Sequence, residues 1–464
     1  MVSELSLTQL LPNATQRFGD QPAIIEKQGW LTYAQLRNRV EHTVQFLVSH
    51  GVSRGQTVGF KIKDPKLELI LKLALLDLGV STLLSTPRWV WNGSGHGFPA
   101  RFIMEVGAAD DDERILQLPN DLGHAETPRS PGRLSEGIEK LYVVPSENPA
   151  NSFDNDWLSD RVVHDRVKAV VPKVRPGERV AFSGLSEPTQ TIMQLGALAQ
   201  GAAAVFLSTR RVVGNLARYG IERLFIDAAG ARRMTAPGSR WTQPGAQLAH
   251  VNIHGRAPFP GLTANVVGQF GCRASYSVDD RRIGPIVSAS NTDLESAPLG
   301  LHRMAADLHA KAGDEAGDKQ AEGLRTSHLL IKPRSGRWYD SKLLAMERPD
   351  QSVLLIGREE RATEVGTLKL DLRFIEGVLS AHEGVEAVMV IAEPTQDEGP
   401  NLLAMVVADQ ACADSVLSYG RRHLGLLAPK RVIQVDLPPS AAPRHYLRYF
   451  IGNLRKGMET LGGP

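Results

Sequence analysis

Only two cysteines, Cys272 and Cys412, occur in 464 residues, which excludes a disulfide framework and any all-cysteine zinc site. Charge of one sign is also lacking. Lys and Arg number 53 against 51 Asp and Glu, a formal net charge of +2, so bulk charge points to neither nucleic acid nor an anionic membrane as partner. Aromatic residues are only 6% of the chain. The basic pairs Arg210-Arg211 and Arg421-Arg422 have no stacking residues interleaved and read as solvated faces. Long apolar runs are missing too. The most apolar stretch, from Leu67 to Val80, is broken by Glu68, Lys72 and Asp77, short of the roughly 18 uncharged residues of a membrane span. It reads as a buried helix, with Glu68 and Lys72 as a solvent-facing pair four residues apart. Met1-Val-Ser-Glu-Leu-Ser-Leu7 has no basic segment followed by an apolar stretch, so no secretory leader is expected and the protein reads as cytoplasmic.

What is present is an ordinary globular composition, with 42% apolar and 22% charged residues, long enough for two or three domains. Helix and strand alternate early: a helix capped by Thr32 running to about Ser49, a strand from Val58 to Lys63, a helix from Pro65 to Leu78, and a strand from Ser81 to Ser85. Residues 88–133 read as loops and short elements. The rhythm resumes with strands at 141–144, 179–182, 202–207 and 223–226 around helices 189–200 and 211–219. This order favours an α/β fold with parallel pairing. The polar segment from Lys311 to Gln320 reads as a mobile loop. From Arg358 onward, helices at 372–381 and 415–424 and strands at 387–392, 402–408 and 431–435 form a small α+β unit.

Three local patterns carry little chemistry. Asn92-Gly-Ser-Gly-His-Gly97 lacks the spacing and the terminal lysine of a phosphate loop. His250 and His254 have the spacing of a helical metal pair, but Val251-Asn-Ile-His-Gly255 reads as strand then turn, which separates them by about 13 Å. Ser183-Gly-Leu-Ser186 lacks the second flanking glycine of a nucleophile elbow.

Arg17-Phe-Gly-Asp-Gln-Pro-Ala23, Leu31-Thr-Tyr-Ala-Gln-Leu36, Gly51-Val-Ser-Arg-Gly-Gln-Thr-Val58 and Leu78-Gly-Val80 follow one another in order. Near the other end stand Gly357-Arg358, Ile375-Glu376, His382-Glu-Gly-Val385, and Leu427-Ala-Pro-Lys430 through Val435-Asp-Leu-Pro438. In these landmarks the chain resembles the acyl-adenylate-forming superfamily of acyl-CoA synthetases and peptide-synthetase adenylation domains. The resemblance implies a large N-terminal domain of layered αβ subdomains plus a distorted barrel (residues 1–357) and a small α+β C-terminal lid domain (358–464). It also implies a reaction that joins a carboxylate to ATP with magnesium.

The family's catalytic motifs are altered here. Adenylation gathers negative charge, so it needs backbone N–H groups around phosphate, a cation and a magnesium ligand. The phosphate loop "SSGTTGxPK" falls on Pro145-Ser-Glu-Asn-Pro-Ala-Asn-Ser-Phe153, which has no glycine, no lysine and a repelling Glu147. The "YGxTE" motif falls on Tyr276-Ser-Val-Asp-Asp280, where Tyr276 is the candidate adenine contact and Asp280 the candidate magnesium ligand. The ribose carboxylate of "TGD" falls on Leu343, with Asp340 three residues away. Arg358 keeps the family's second ribose contact, or pairs locally with Glu359 or Glu360. Arg361 stands at the hinge position. Arg444 takes the place of the catalytic lysine, with His445 beside it.

The resemblance, with these departures, implies a non-catalytic or catalytically crippled homologue. Its expected partners are a carrier protein or an active ligase, with a small carboxylic acid as possible ligand and no required cofactor; the resemblance puts the acyl pocket between the helix Thr189–Gln200 and the turn near His254-Gly255. The alternative is a divergent active ATP- and magnesium-dependent carboxylate ligase using Arg444. A third reading is a regulatory nucleotide binder using Tyr276, Asp280 and Arg358.

Overall fold

The computed structural model describes residues 7–26, 29–83, 100–105, 115–118, 141–144, 156–207, 212–235, 248–256, 261–280, 282–290, 304–305, 307–313, 326–334, 338–347, 353–365, 368–393, 401–408 and 413–435. The chain opens with α1 (Leu10–Phe18), β1 (Pro22–Glu26), β2 (Gly29–Thr32) and α2 (Tyr33–Ser49). Thr32 and Gln35 close a reciprocal cap: the Thr32 hydroxyl accepts from the Gln35 N–H, and the Gln35 side chain accepts from the Thr32 N–H. After β3 (Thr57–Lys61), Asp64 caps α3 (Pro65–Leu78), which ends at Gly79 in the left-handed region at φ 69°.

Strands β4 (Ser81–Leu83), β5 (Ala100–Glu105), β6 (Ile115–Leu118), β7 (Tyr142–Val144) and β8 (Asp156–Leu158) join β3 in a six-stranded sheet ordered β6-β5-β3-β4-β7-β8. It is parallel except between β7 and β8. The stretch read as loops and short elements thus supplies two strands at one edge.

The larger sheet has eight strands in the order β14-β13-β12-β11-β9-β10-β1-β2. Its new members are β9 (Arg179–Ser183), β10 (Ala203–Phe206), β11 (Arg223–Asp227), β12 (His250–Gly255), β13 (Arg273–Asp280) and β14 (Gly284–Ser290). Pairing is parallel from β1 through β13 and antiparallel at both edges. The described helices α4 (Asp160–Val170), α5 (Glu187–Ala199), α6 (Val212–Tyr219), α7 (Ala228–Met234) and α8 (Gly261–Phe270) accompany it.

One core unites the layers, drawing Ile70 and Leu73 from α3, Leu195 and Leu198 from α5, and Ile226 and Ile253 from the sheet. This packing corrects the expectation of a solvent-facing Glu68–Lys72 pair. Lys72 is only 3% exposed, and its ammonium is held by both Glu68 at 2.5 Å and Glu187 of α5 at 2.8 Å. Burial alone would strip its proton, but the two carboxylates outweigh it and hold Lys72 above its ordinary range. A charged pair four residues apart says nothing about what covers that helix face.

A four-stranded antiparallel sheet, β15 (Leu308–Gly313), β16 (Thr326–Pro333), β17 (Tyr339–Glu347) and β18 (Val353–Arg358), represents the expected barrel among the described residues. The segment expected to be a mobile loop begins inside β15, where Lys311 pairs with Leu330 and Gly313 with His328. Ladder hydrogen bonds organise it despite its polarity; residues 314–320 lie outside the described residues.

After a single 3₁₀ turn (Glu359–Arg361) comes a hairpin of β19 (Thr363–Val365) and β20 (Leu368–Leu370). Helices α9 (Leu372–Leu379) and α10 (Ala413–Leu424) pack with a sheet of β21 (Val385–Ala392), β22 (Leu402–Ala408) and β23 (Arg431–Gln434). Its core is not self-contained: Leu344, Met346, Leu354 and Ile356 of β17 and β18 belong to the same cluster as Phe374, Ile375, Val378 and Val406. The unit also sits on α8 at close range, since a Cβ on Gly261 would come within 2.6 Å of Ser380 Oγ and 2.9 Å of the Gly377 carbonyl. No described helix is long and apolar enough to cross a membrane.

Candidate functional site

Strands β9, β11, β12 and β13 are parallel neighbours, and open α/β sheets receive ligands at the carboxyl ends of such strands. Gly184, Leu185 and Ser186 follow β9 there, Asp227 ends β11, and His254 and Gly255 end β12, with Arg256 just beyond. Tyr276 and Asp279 stand on β13. With Arg232 of α7 and with Arg361, Asp371 and Arg373 at the start of the C-terminal unit, they line a cleft of about 380 Å³.

Two of its three aspartates serve local structure. Asp227 caps α7, accepting from the Gly230 N–H at 2.9 Å. Asp371 caps α9, accepting from Arg373 N–H at 3.1 Å, and also accepts from the Arg358 N–H at 3.4 Å. Burial pushes both carboxyls above their ordinary range, and the N–H donors oppose this only in part. The third, Asp279, forms the polar floor. Thr189 donates to its Oδ2 at 2.7 Å, and its Oδ1 lies 3.2 Å from His254 Nδ1. Arg232, Arg256, Arg361 and Arg373 are all exposed. Four guanidiniums over three carboxylates make the cleft a complement to an anion.

The structure separates the residues that the sequence grouped. Tyr276 lines the cleft but is 1% exposed, and its hydroxyl would lie 2.2 Å from a Cβ on Gly255. Its ring is packed, so it offers no open face to a base. Asp280 is absent from the cleft. Its Oδ1 accepts from the Arg282 and Ile283 N–H groups and from Arg282 Nε, and its Oδ2 from Arg282 Nη2. A carboxylate so occupied, beside a guanidinium, does not fit a magnesium ligand. The carboxylate that reaches the cleft is its neighbour, Asp279.

Leu343 is 2% exposed and stands directly across from Arg358 in the β17–β18 ladder. Lys342, just before it, has φ 56°, alone in that region among described non-glycine residues. In the ungapped register of the resemblance, the glycine of "TGD" falls on Lys342 and the carboxylate on Leu343. Asp340 instead ties the turn, accepting from Lys342 N–H at 2.8 Å and pairing with Lys342 Nζ at 2.8 Å and His328 Nδ1 at 3.2 Å. Glu359 closes the ring, 3.3 Å from both His328 Nε2 and Lys342 Nζ. Arg358 pairs with Glu360 at 3.2 Å, while its Nε is buried with no partner among the described residues.

Arg361, the hinge residue, does line the cleft. Residues 145–155, Arg444 and His445 lie outside the described residues. No group of three or more potential metal ligands occurs among the described residues. The pocket expected between the helix 189–200 and the turn at His254-Gly255 falls at this cleft, whereas sequence reasoning gave no role to Asp279, Arg232, Arg256 or Arg373. Their available signal was position at the ends of parallel strands.

No family model matches the chain. A linear gramicidin synthase of Brevibacillus parabrevis is 22% identical over 453 residues, covering 87% of this chain and 9% of that protein, so the chain spans under a tenth of that relative's length. Coronafacic acid ligase from Pectobacterium brasiliense superposes with a TM-score of 0.72 at 12% identity, covering 96% of this chain and 97% of that one. Amide bond synthetase McbA from Marinactinospora thermotolerans gives 0.69 at 18% identity, covering 96% and 99%. The fold implied by the sequence resemblance, a large N-terminal part followed by a small C-terminal one, is thus the fold observed.

Proposed function

We propose that this chain is a non-catalytic homologue of the acyl-adenylating ligases, retaining a cleft for a small carboxylic acid, free or borne by a protein partner. The observation that carries the reading is the contrast within one site. Leu343 is buried where a ribose carboxylate is needed and Asp280 is consumed by Arg282, yet four arginines still line the cleft. Loss of a single charge-stabilising donor typically lowers rate by about 10²–10³, and several are replaced together here. ATP and magnesium belong to the alternative, a divergent active ligase with Arg444 as the cation.

We take Arg358 as the start of the C-terminal unit and read that unit as fixed. The Asp340–Lys342–Glu359–His328 ring bridges its first turn to β16 and β17. The shared core with β17 and β18 opposes separation. A unit that does not swing has no catalytic cycle to follow, and its outer surface is free to serve a carrier protein or an active ligase.

The test is carboxylate-dependent exchange of labelled pyrophosphate into ATP, across a panel of aryl and aliphatic acids. The expected result is no exchange above a blank. Robust exchange with any one acid promotes the active-ligase alternative.

A further inference from the structure

His254 on the floor of the cleft has unused hydrogen-bonding capacity. It is 4% exposed, lines the cavity, and its Nε2 has no hydrogen-bond partner among the described residues. Its Nδ1 stands 3.2 Å from Asp279 Oδ1. With Asp279 as acceptor, a neutral imidazole carries its proton on Nδ1, and Nε2 presents a lone pair. Asp279 is fixed in that role from its other oxygen: Thr189 donates to Oδ2 at 2.7 Å, and Ser186 donates to Thr189 at 3.1 Å. A buried acceptor left without a donor is unfavourable, and a ligand that brings a hydrogen relieves it. Above the floor, the four arginines complement a carboxylate.

Resting on the acid-binding reading and narrowing it, we infer that the acid held in this cleft is a hydroxy acid. Its carboxylate faces the arginines, and its hydroxyl donates to His254 Nε2. A keto acid of equal size offers only lone pairs at that point and is disfavoured. Asp279→Asn removes the preference. Thr189 still donates to the retained oxygen, which leaves the amide N–H groups toward Nδ1 and moves the imidazole proton to Nε2. The floor then donates, and a keto oxygen and a hydroxyl oxygen accept alike.

The experiment is calorimetric titration of the full chain at pH 8 with size-matched pairs: lactate and pyruvate, 3-hydroxybutyrate and acetoacetate, mandelate and benzoylformate. In at least one pair the hydroxy acid binds about tenfold more tightly. That ratio collapses in His254→Phe and in Asp279→Asn, whose near-identical shape keeps the test sound if the larger change unfolds the chain. Binding without preference, or a preference indifferent to Asp279→Asn, overturns this inference and leaves the acid-binding reading standing. Absence of saturable binding by every acid overturns both.

Discussion

Leu343→Asp places a carboxylate where the resemblance expects one. Leu343 is 2% exposed in the main core, so its removal forfeits about 2–3 kcal/mol of apolar burial, before any cavity term. Directly across the ladder, Arg358 has a buried Nε without a partner among the described residues. Opposed residues of an antiparallel pair hold their Cβ atoms about 5 Å apart, within reach of that group. A hydrogen bond between the new carboxylate and Arg358 returns about 1.5–3 kcal/mol. Taking a carboxylate out of water adds a further cost, and the net expectation is a loss of about 1–2 kcal/mol in urea unfolding. In the Arg358→Ala background the same carboxylate is unpaired, and the loss rises to about 3–5 kcal/mol. A double-mutant cycle should therefore return a coupling of about 2 kcal/mol. A coupling near zero would refute the reasoning, since it would mean that Arg358 does not face this position.

Gly357 has φ +140° and a Cβ there would lie 2.0 Å from the Asp371 Cβ, so Gly357→Ala should lower stability by about 2–3 kcal/mol or more, read as a shifted urea midpoint. Small-angle scattering should give superimposable profiles with and without ATP, magnesium and an acid, whereas Gly261→Val, by prising α9 from α8 at the Ser380 contact, should enlarge the particle without unfolding the main sheets. Burial raises the Asp340 carboxyl, but the hydrogen bonds from Lys342 and the His328 charge outweigh it and leave it below the ordinary range. A depressed acid stabilises the fold above its unfolded pKa of about 3.9 and loses that contribution as pH falls through the folded value. The stability difference between wild type and Asp340→Asn should then shrink below about pH 4. Asp77 has the opposite sign: burial and Glu41, opposed by Arg37, push its pKa up to about 6, so stability falls as pH rises from about 4 to 6. Asp77→Asn should gain about 1 kcal/mol at about pH 7.5, after allowance for solvent screening, and nothing at about pH 4.

The elements are legible where local chemistry decides them. Thr32 announces α2 through its cap, and Asp64, Pro65 and Gly79 bracket α3. Lys72 escapes such a reading because a charged helix face looks the same under solvent and under Glu187. Asp280 takes the motif position by count along the chain, but the β13–β14 register shifts between Val278 and Asp279, and it is Asp279 that reaches the cleft. The floor of the cleft is legible only in part: the resemblance points to the Thr189 helix and the His254-Gly255 turn, but not to Asp279. Thr189 and Asp279 are 90 residues apart in sequence, and only the packing of that helix against the sheet brings them together. The departures from the resembled motifs are readable in sequence because motif residues are local, whereas the left-handed backbone of Lys342, at φ 56°, is not.

A non-catalytic homologue that keeps the fold but not the nucleotide contacts should bind ATP weakly. Calorimetric titration of the full chain with ATP and magnesium measures this. With Leu343 apolar, Asp280 bound to Arg282 and the Tyr276 ring packed, affinity should be no tighter than about 1 mM, roughly −4 kcal/mol. Saturable micromolar binding, abolished by Arg358→Ala, would contradict the account.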